Sequence, residues 1–332
     1  MTNRKAIDWL SVRSRGLAIG LLCALFMTVA SQTALADYPE NPIRIIVSYP
    51  AGGTGDLVAR LTADGLAKKL GVNVVVENRG GASGAIGTTA VMAMEPDGYN
   101  LLATATSTMS IVPHLGSANY DPATDFTTIA KIVDSRRVLA VHPSVPVDSI
   151  EELIAYAREN PNLMNYGSPG MGSTVQMITE LFLQNNDIDV THIPFSGAAP
   201  AVTDLLAGRI HMMIDTAVIP YVESGDLKGL AVLGDQRLAE LPDLPTLEEA
   251  GLPAMNTHGW NGLFAPAGVP DDVLAVLQSA LEELFQEEDF RNGFIERGLD
   301  PAFTGSEAFA AEVQDDYRFF GQVIEDLNLQ PN

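Results

Sequence analysis

The chain has 332 residues, and its 42 acidic residues outnumber the 19 basic residues to give a formal net charge of −23. This acidity argues against binding to nucleic acid or to anionic membranes, both of which attract basic surfaces. Cys23 is the only cysteine, so a disulfide within the chain is excluded. Thiol catalysis is also excluded in any mature form that lacks Cys23.

The first 36 residues are typical of a secretory signal. Basic residues precede the apolar segment Leu17–Ala30, and Ala34-Leu35-Ala36 offers a cleavage site between small residues. The apolar segment is shorter than the roughly 20 residues that span a membrane, and the bulky Leu22 is atypical before a lipidated cysteine. We expect export to the periplasm with cleavage after Ala36. Because the leader carries four basic residues and one acidic residue, the mature charge is −26.

Residues 43–106 predict a βαβαβ unit. Apolar strands bounded by Gly, Pro or Asp alternate there with segments of helical periodicity. Such alternation predicts a parallel, doubly wound sheet. The predicted strands are Ile43–Tyr49, Val72–Glu77 and Tyr99–Thr106, and the predicted helices are Asp56–Leu70 and Ser83–Met94.

A second series of strands and helices begins near Arg137. Ser149, with Glu152 three positions later, predicts a capped helix start. The predicted strands are Val138–Val141, Met164–Gly167, His192–Pro194, Ile210–Ile214 and Gly229–Leu233, and the predicted helices are Ser149–Glu159, Ser173–Gln184 and Ala199–Ala207.

The chain ends in two predicted amphipathic helices, one after Pro270 and one after Ser306. Two α/β series and a returning tail predict two lobes, with residues 37–138 and 258–332 in the first lobe and residues 139–257 in the second. The two crossings between lobes are expected near Arg136–Ala140 and Leu233–Trp260. Ligands of open α/β sheets bind beyond the carboxyl ends of the strands, so the gap between the lobes is the expected site.

Two glycine-rich loops each follow a predicted strand and precede a predicted helix. The first is YPAGGTGD, Tyr49–Asp56, and the second is GSPGMGST, Gly167–Thr174. In such a loop, backbone N–H groups and the positive end of the helix dipole suit an anion. A single loop of this kind is more often a packing turn. Two loops, one in each lobe, favour an anion held between them.

Other chemistries are poorly supported. The loops lack the Lys-Ser/Thr ending of a nucleotide phosphate loop and the GxGxxG spacing of a dinucleotide site. The five histidines are not spaced as metal ligands, and no GxSxG nucleophile elbow occurs. We therefore expect no catalytic residue, metal or cofactor. His142 and His192 are interpreted as structural. Asp56 either caps the first helix or contacts the ligand, and Asp215 either caps a turn or accepts a ligand hydrogen bond.

The motifs together resemble the substrate-binding proteins of tripartite tricarboxylate transporters, the Bug-type receptors. The resemblance is carried by YPENPIRIIVSYPAGGTGDLVAR, VVVENRGGASGAIG, EPDGYNLL, GSPGMGS, HIPFSGAAPAVTDLLAGRI and LPDLPTLEEAGLP, which cover the mature chain. It implies a two-lobed periplasmic-binding-protein-like α/β fold, each lobe a doubly wound, mostly parallel sheet with helices on both faces. It also implies a monomeric, non-catalytic receptor that closes like a Venus flytrap on a small carboxylate. The receptor then delivers this ligand to the membrane permease subunits.

The resemblance further implies which residues hold the carboxylate, through backbone N–H groups and hydroxyls. By position these are Gly52, Gly53, Thr54, Thr106, Ser107, Ser168, Gly170, Met171, Gly172, Ser173 and Thr174. Further candidates are Tyr49, Asp56, Phe195, Ser196 and Asp215.

One departure from the family pattern concerns the part of the ligand that lies away from the carboxylate held by the two loops. Pro194-Phe195-Ser196-Gly197 stands where the family often has Pro-Tyr-Lys-Gly, so a cation and a phenol hydroxyl are lost. This favours a dicarboxylate or aromatic carboxylate over a tricarboxylate. An alternative function is a ligand sensor that presents its closed form to a membrane histidine kinase. An exported hydrolase or isomerase is the least supported reading.

Overall fold

The computed structural model describes residues 38–116, 118–234, 236–253, 255 and 259–327. The expected signal segment, Cys23 and the cleavage site after Ala36 lie outside these residues. His258, at the predicted lobe boundary, also lies outside them. From Asn41 onward, the described residues belong to one unit by their mutual contacts.

The described strands form two sheets. In chain order they are β1 (Ile43–Val47), β2 (Val74–Asn78), β3 (Asn100–Ala105), β4 (Phe126–Ser135), β5 (Arg137–Val141), β6 (Asn165–Ser168), β7 (Thr191–Pro194), β8 (Met212–Asp215), β9 (Lys228–Leu233), β10 (Gly259–Pro266) and β11 (Asp300–Gly305). The first sheet has the order β11-β4-β10-β3-β1-β2 and the second has the order β7-β6-β8-β5-β9.

Helices connect these strands and, as expected, lie on both faces of the sheets. They are α1 (Thr54–Leu70), α2 (Ala85–Met92), α3 (Ile150–Glu159), α4 (Thr174–Asn185), α5 (Ala198–Leu206), α6 (Ile219–Glu223), α7 (Asp271–Gln286), α8 (Glu288–Ile295) and α9 (Ser306–Asp326). The predicted cap of α3 is present, because Ser149 Oγ accepts the N–H of Glu152. The two-lobed α/β fold class is confirmed.

Both sheets are mixed, and in each of them most strands run in one direction, as expected. In the first sheet β1 pairs in parallel with β2 and β3, whereas β10 runs antiparallel to β3 and β4. In the second sheet β6 pairs in parallel with β7 and β8, whereas β5 runs antiparallel to β8 and β9. Strands β4, β10 and β11 and helices α6 and α8 were not predicted. In β4, polar Lys131 interrupts the apolar run and is buried by pairing with Asp134 and Glu312.

The chain passes between the sheets in two places. Only Arg136 separates β4 of the first sheet from β5 of the second, and the chain returns between Leu233 and Gly259. Both crossings lie where the sequence predicts them. The lobe boundaries themselves, and any motion about these crossings, stay predictions.

Helix α9 contributes to two apolar cores, although the predicted boundaries place it wholly in the first lobe. Phe309 and Val313 pack in the core that contains Trp260 and Phe264 of β10. Phe320, near the other end of the helix, packs in the core of the second sheet. Ile111 and Leu115, which follow β3, also belong to this second core. Helix α9 therefore packs against both sheets.

Candidate functional site

The first glycine loop is closed by a hydrogen bond from its own backbone. Helix α1 begins at Thr54, with Gly53 as the residue before it in an extended conformation. Gly52 has φ +86°, a left-handed conformation that favours glycine. Its N–H donates to Asp56 Oδ2 over 2.9 Å. The amide of Gly52 is thus used within the loop, while the next N–H groups lie at the helix start, where a helix leaves N–H groups without partners.

Asp56 is buried and satisfied within the first lobe. Its oxygens also accept from Asn78 Nδ2 over 3.0 Å and from Arg60 Nε over 3.1 Å. Burial alone would raise the pKa of Asp56, but the hydrogen bonds from Arg60, Gly52 and Asn78 and the charge of Arg60 hold that pKa below its ordinary value. These contacts close the first loop. The two roles considered from the sequence, a cap of α1 and ligand contact, stay predictions.

Hydroxyl groups form a second set beside the first loop. Tyr49 Oη lies 2.6 Å from Thr108 Oγ1 and 3.3 Å from Ser107 Oγ. Thr108 also donates to the carbonyl of Ser83. Thr106 is buried, and its Oγ1 accepts the backbone N–H of Trp260 over 2.8 Å. The structure therefore brings Tyr49, Ser107 and the first loop together, while Thr106 connects β3 to the second crossing.

The second glycine loop repeats the closing bond of the first. Helix α4 begins at Thr174, and Ser173 caps it by accepting the N–H of Gln176. Gly172 has φ +73°, and its N–H donates to Gln176 Oε1 over 2.8 Å. A Cβ on Gly172 would lie 2.9 Å from Leu115 Cδ1, so the loop packs closely on that residue.

The two loops are equivalent residue by residue. Gly52 and Gly172 share a positive φ, and each donates its N–H to the side chain four residues later. Gly53 and Ser173 are the extended residues before the helices, and Thr54 and Thr174 are the first helical residues. Both loops therefore end at a helix start, which is the arrangement that suits an anion. They differ at one N–H group, because that of Ser173 already donates to the Gly170 carbonyl over 3.3 Å.

Ser168 anchors the second loop to the neighbouring strand. It is fully buried at the end of β6, and its Oγ lies 2.6 Å from His192 Nε2 on β7. The same oxygen accepts the N–H of Gly170 and approaches the Gly170 carbonyl at 3.1 Å. Burial lowers the pKa of His192, which favours the neutral imidazole.

The remaining predicted residues are placed differently. Met171 is 56% exposed at the tip of the second loop. The N–H of Phe195 donates to the carbonyl of Ser168, so Phe195 lies beside this loop, and Ser196 is exposed next to it. Asp215 is buried at the end of β8 and caps a short turn by accepting the N–H of Ala217.

Asp215 belongs to a buried charged group at the first crossing. Burial raises its pKa, while the charge of Arg137 opposes this rise. Burial lowers the pKa of Arg137 to about 10, against the opposing charges of Asp215 and Asp316. The capping role of Asp215 is therefore observed, and ligand contact stays a prediction.

The sequence missed the residues that hold the loops in shape. Gln176, Asn78, Arg60 and Thr108 were not singled out, and His192 was interpreted as structural without a partner. The i to i+4 spacing of Gly52 with Asp56, and of Gly172 with Gln176, is a local signal that could have identified the two closing residues. No such signal exists for Asn78 or His192, which come from other strands.

The described part of the chain shows neither a cluster of metal-ligating side chains nor a membrane-spanning helix. Within the described ranges, no group of three or more His, Cys, Asp or Glu side chains is placed to hold a metal ion. In the same part of the chain, no helix is both long and apolar enough to cross a bilayer.

Comparison with known proteins places these features in a family. Residues 58–329 match the model described as tripartite tricarboxylate transporter family receptor. Protein BugT of Bordetella pertussis is 31% identical over 91% of this chain and 94% of its own length. A Rhodopseudomonas palustris protein solved with adipate is 32% identical, with a TM-score of 0.77, over 87% of this chain and 98% of its own. MatC from Rhodopseudomonas palustris, solved with bound malate, is 29% identical, with a TM-score of 0.74, over 86% of this chain and all of its own.

Proposed function

The chain belongs to the tripartite tricarboxylate transporter receptor family, and on that premise we propose that it binds a dicarboxylate or aromatic carboxylate between its lobes. It delivers this ligand to the membrane permease subunits of such a transporter. It acts as a monomer, and it does not transform the ligand. The family is one of periplasmic substrate-binding receptors, and we propose that export ends with cleavage after Ala36.

The observation that carries this proposal is the equivalence of the two loops. In each loop the glycine N–H that precedes the helix is already bonded, to Asp56 or to Gln176. The N–H of Ser173 is also bonded, to the Gly170 carbonyl. The N–H groups of Gly53, Thr54 and Thr174 and the hydroxyl of Ser173 are then the proposed donors for an anion, and both helix dipoles favour negative charge there. We propose that one carboxylate is held by Gly53 and Thr54 from the first lobe and by Ser173 and Thr174 from the second.

The proposed ligand class is supported by the charges near the loops. Arg60 is paired with Asp56, and Arg79 is paired with Glu77, so these two cations are already neutralised. Phe195 and the exposed Met171 offer apolar surface beside the second loop. A ligand with one carboxylate in the loops and an apolar body fits this composition. The relatives solved with adipate and malate are consistent with small carboxylates.

Ligand binding is tested by a thermal-shift screen of adipate, malate and aromatic carboxylates, followed by calorimetry on each acid that raises the melting temperature. Small-angle scattering with a saturating acid then tests closure about the two crossings, which should reduce the radius of gyration. No stabilisation by any carboxylate, or recovery of a chemically altered acid that tracks the purified protein, would overturn the proposal.

The site itself is tested by Gly53→Val. Gly53 has φ −88°, which valine adopts readily, and a Cβ there meets only the Pro50 carbonyl at 3.8 Å. The variant should therefore fold normally, yet its side chain should block the approach of a carboxylate and abolish measurable binding. The matched control is Gly293→Ala in α8, whose Cβ would meet Leu61 at the same 3.8 Å. Normal binding by Gly53→Val would place the anion elsewhere.

A further inference from the structure

The side chain of His192 is fixed between two residues of the neighbouring strand. Strands β6 and β7 are parallel, with Tyr166 paired to His192 and Ser168 at the end of β6. The imidazole ring stacks on the Tyr166 ring at 4.7 Å with an interplanar angle of 17°. Tyr166 is itself held by a 2.5 Å hydrogen bond from its hydroxyl to Glu180 of α4. This leaves Nε2 of His192 aimed at Ser168 Oγ, 2.6 Å away.

The hydrogens available at Ser168 decide which nitrogen of His192 carries the proton. The Ser168 hydroxyl accepts the N–H of Gly170 and lies within hydrogen-bonding distance of the Gly170 carbonyl and of His192. It has one hydrogen to donate. If that hydrogen goes to an unprotonated Nε2, Ser168 has none for the Gly170 carbonyl. If Nε2 carries the proton, Ser168 accepts from His192 and donates to Gly170, and every contact is satisfied.

Gly170 is the residue that this arrangement holds in place. It has φ +139°, a conformation that side-chain-bearing residues rarely adopt, and a Cβ there would lie 3.2 Å from the Phe195 carbonyl. Its own carbonyl also accepts the N–H of Ser173, the capping residue of α4, over 3.3 Å. The contacts therefore run from His192 through Ser168 and Gly170 to the start of α4.

We propose that His192, with its proton on Nε2, is a positioning residue for the ligand site, because it fixes the second loop through Ser168 and Gly170. The consequence for ligand affinity rests on the proposed function, whereas the consequence for the loop does not. His192 is not expected to touch the ligand. Without its N–H, the Ser168 hydroxyl loses one of the contacts that orient it, and the Gly170 peptide is held less firmly.

The first test needs no ligand. Nitrogen-15 NMR of the wild-type imidazole should show a neutral ring protonated at Nε2 near neutral pH, and the Gly170 amide should be protected from hydrogen exchange. In His192→Phe, which keeps the stack on Tyr166 but has no N–H, Gly170 protection should fall about tenfold. In His192→Gln, whose side-chain amide can replace the Nε2–H donor, protection should be restored. A proton on Nδ1 in the wild type would overturn the proposal even if neither variant folds.

The matched control is His142→Phe. His142 also contacts a serine, with its Nδ1 2.7 Å from Ser144 Oγ, but it follows β5 and has no bond to the second loop. This variant should leave Gly170 exchange unchanged. Unchanged Gly170 protection in a folded His192→Phe, or equal losses in His192→Phe and His142→Phe, would contradict a specific role for His192.

The second test uses malate and adipate as probes in calorimetry. His192→Phe should weaken the binding of whichever acid the wild type binds by about tenfold, and His192→Gln should recover most of that loss. If the wild type binds neither acid, malate and adipate are ruled out as ligands, and the NMR experiment still decides the role of His192. Equal affinities in the wild type and in His192→Phe would overturn the positioning role.

Discussion

The two glycine loops have the same backbone arrangement, but the side chain that accepts the glycine N–H is charged in one loop and neutral in the other. The first loop is closed by a carboxylate, Asp56, and the second by a neutral amide, Gln176. The carboxylate comes with partners from outside the loop, because Asn78 of β2 and the partly exposed Arg60 both bond to it. The amide accepts one N–H and needs no counter-ion.

This difference shows that a buried charged acceptor requires additional partners, whereas a neutral acceptor does not. A charged acceptor beside a proposed anion site repels the anion unless a cation neutralises it, and Arg60 does so in the first loop. The Asn78 side chain donates both to Asp56 and to the Tyr49 carbonyl, so it fixes the first loop to strand β2. The second loop is fixed instead by neutral contacts through Ser168 and His192. The same local geometry is thus supported by two different sets of neighbours.

The largest effect is expected from removing the charged acceptor. Asp56→Ala leaves the N–H of Gly52 and the amide of Asn78 without their acceptor and should lower the free energy of unfolding by about 2–3 kcal/mol. The matched change in the second loop, Gln176→Ala, removes one neutral bond and should cost about 1 kcal/mol. Urea unfolding of both variants measures the difference. Equal losses would show that the additional partners of Asp56 contribute nothing.

Acid should weaken the first loop and spare the second. The pKa of Asp56 is lowered in the folded protein, so its contribution is present above the unfolded value, about 3.9, and is lost as pH falls through the folded value. The difference in unfolding free energy between the wild type and Asp56→Asn should therefore shrink below about pH 4. The difference between the wild type and Gln176→Ala should not change with pH in this way. A constant Asp56→Asn difference down to pH 3 would contradict the assignment.

A smaller effect is expected from giving the second loop the charge of the first. Gln176→Glu keeps an acceptor for the N–H of Gly172 and adds a negative charge at the start of α4. It should weaken the binding of malate or adipate by about tenfold, or about 1.4 kcal/mol. Gln184→Glu, at the exposed far end of α4, is the control and should have little effect. Calorimetry that finds equal affinities for the two variants would place the anion away from the second loop.

The smallest expected effect concerns the residue that precedes each helix. Ser173 caps α4 with its hydroxyl, whereas Gly53 precedes α1 without a side-chain cap. Ser173→Ala should lower the free energy of unfolding by about 1 kcal/mol, and Ser173→Gly, which copies the first loop, should cost only a few tenths. Thermal unfolding of the pair measures this difference. A larger loss in the glycine variant would mean that the Ser173 side chain does more than cap the helix.

The sequence by itself determined the features that depend on neighbours along the chain. The alternation of strands and helices, both glycine loops, the cap at Ser149 and the two crossings were predicted because each depends on short-range periodicity or spacing. The closing bonds from Gly52 to Asp56 and from Gly172 to Gln176 could have been predicted in the same way, since an i to i+4 reach is fixed by the first turn of a helix.

Only the tertiary structure decided which distant residues meet. Strands β4, β10 and β11 gain their partners from segments far along the chain, so the antiparallel part of the first sheet had no local signal. Asn78 reaches Asp56 across 22 positions and His192 reaches Ser168 across 24, because neighbouring parallel strands place their ends side by side. A strand pairing is a choice among many distant segments, and burial in the folded core, not the spacing of residues, makes that choice.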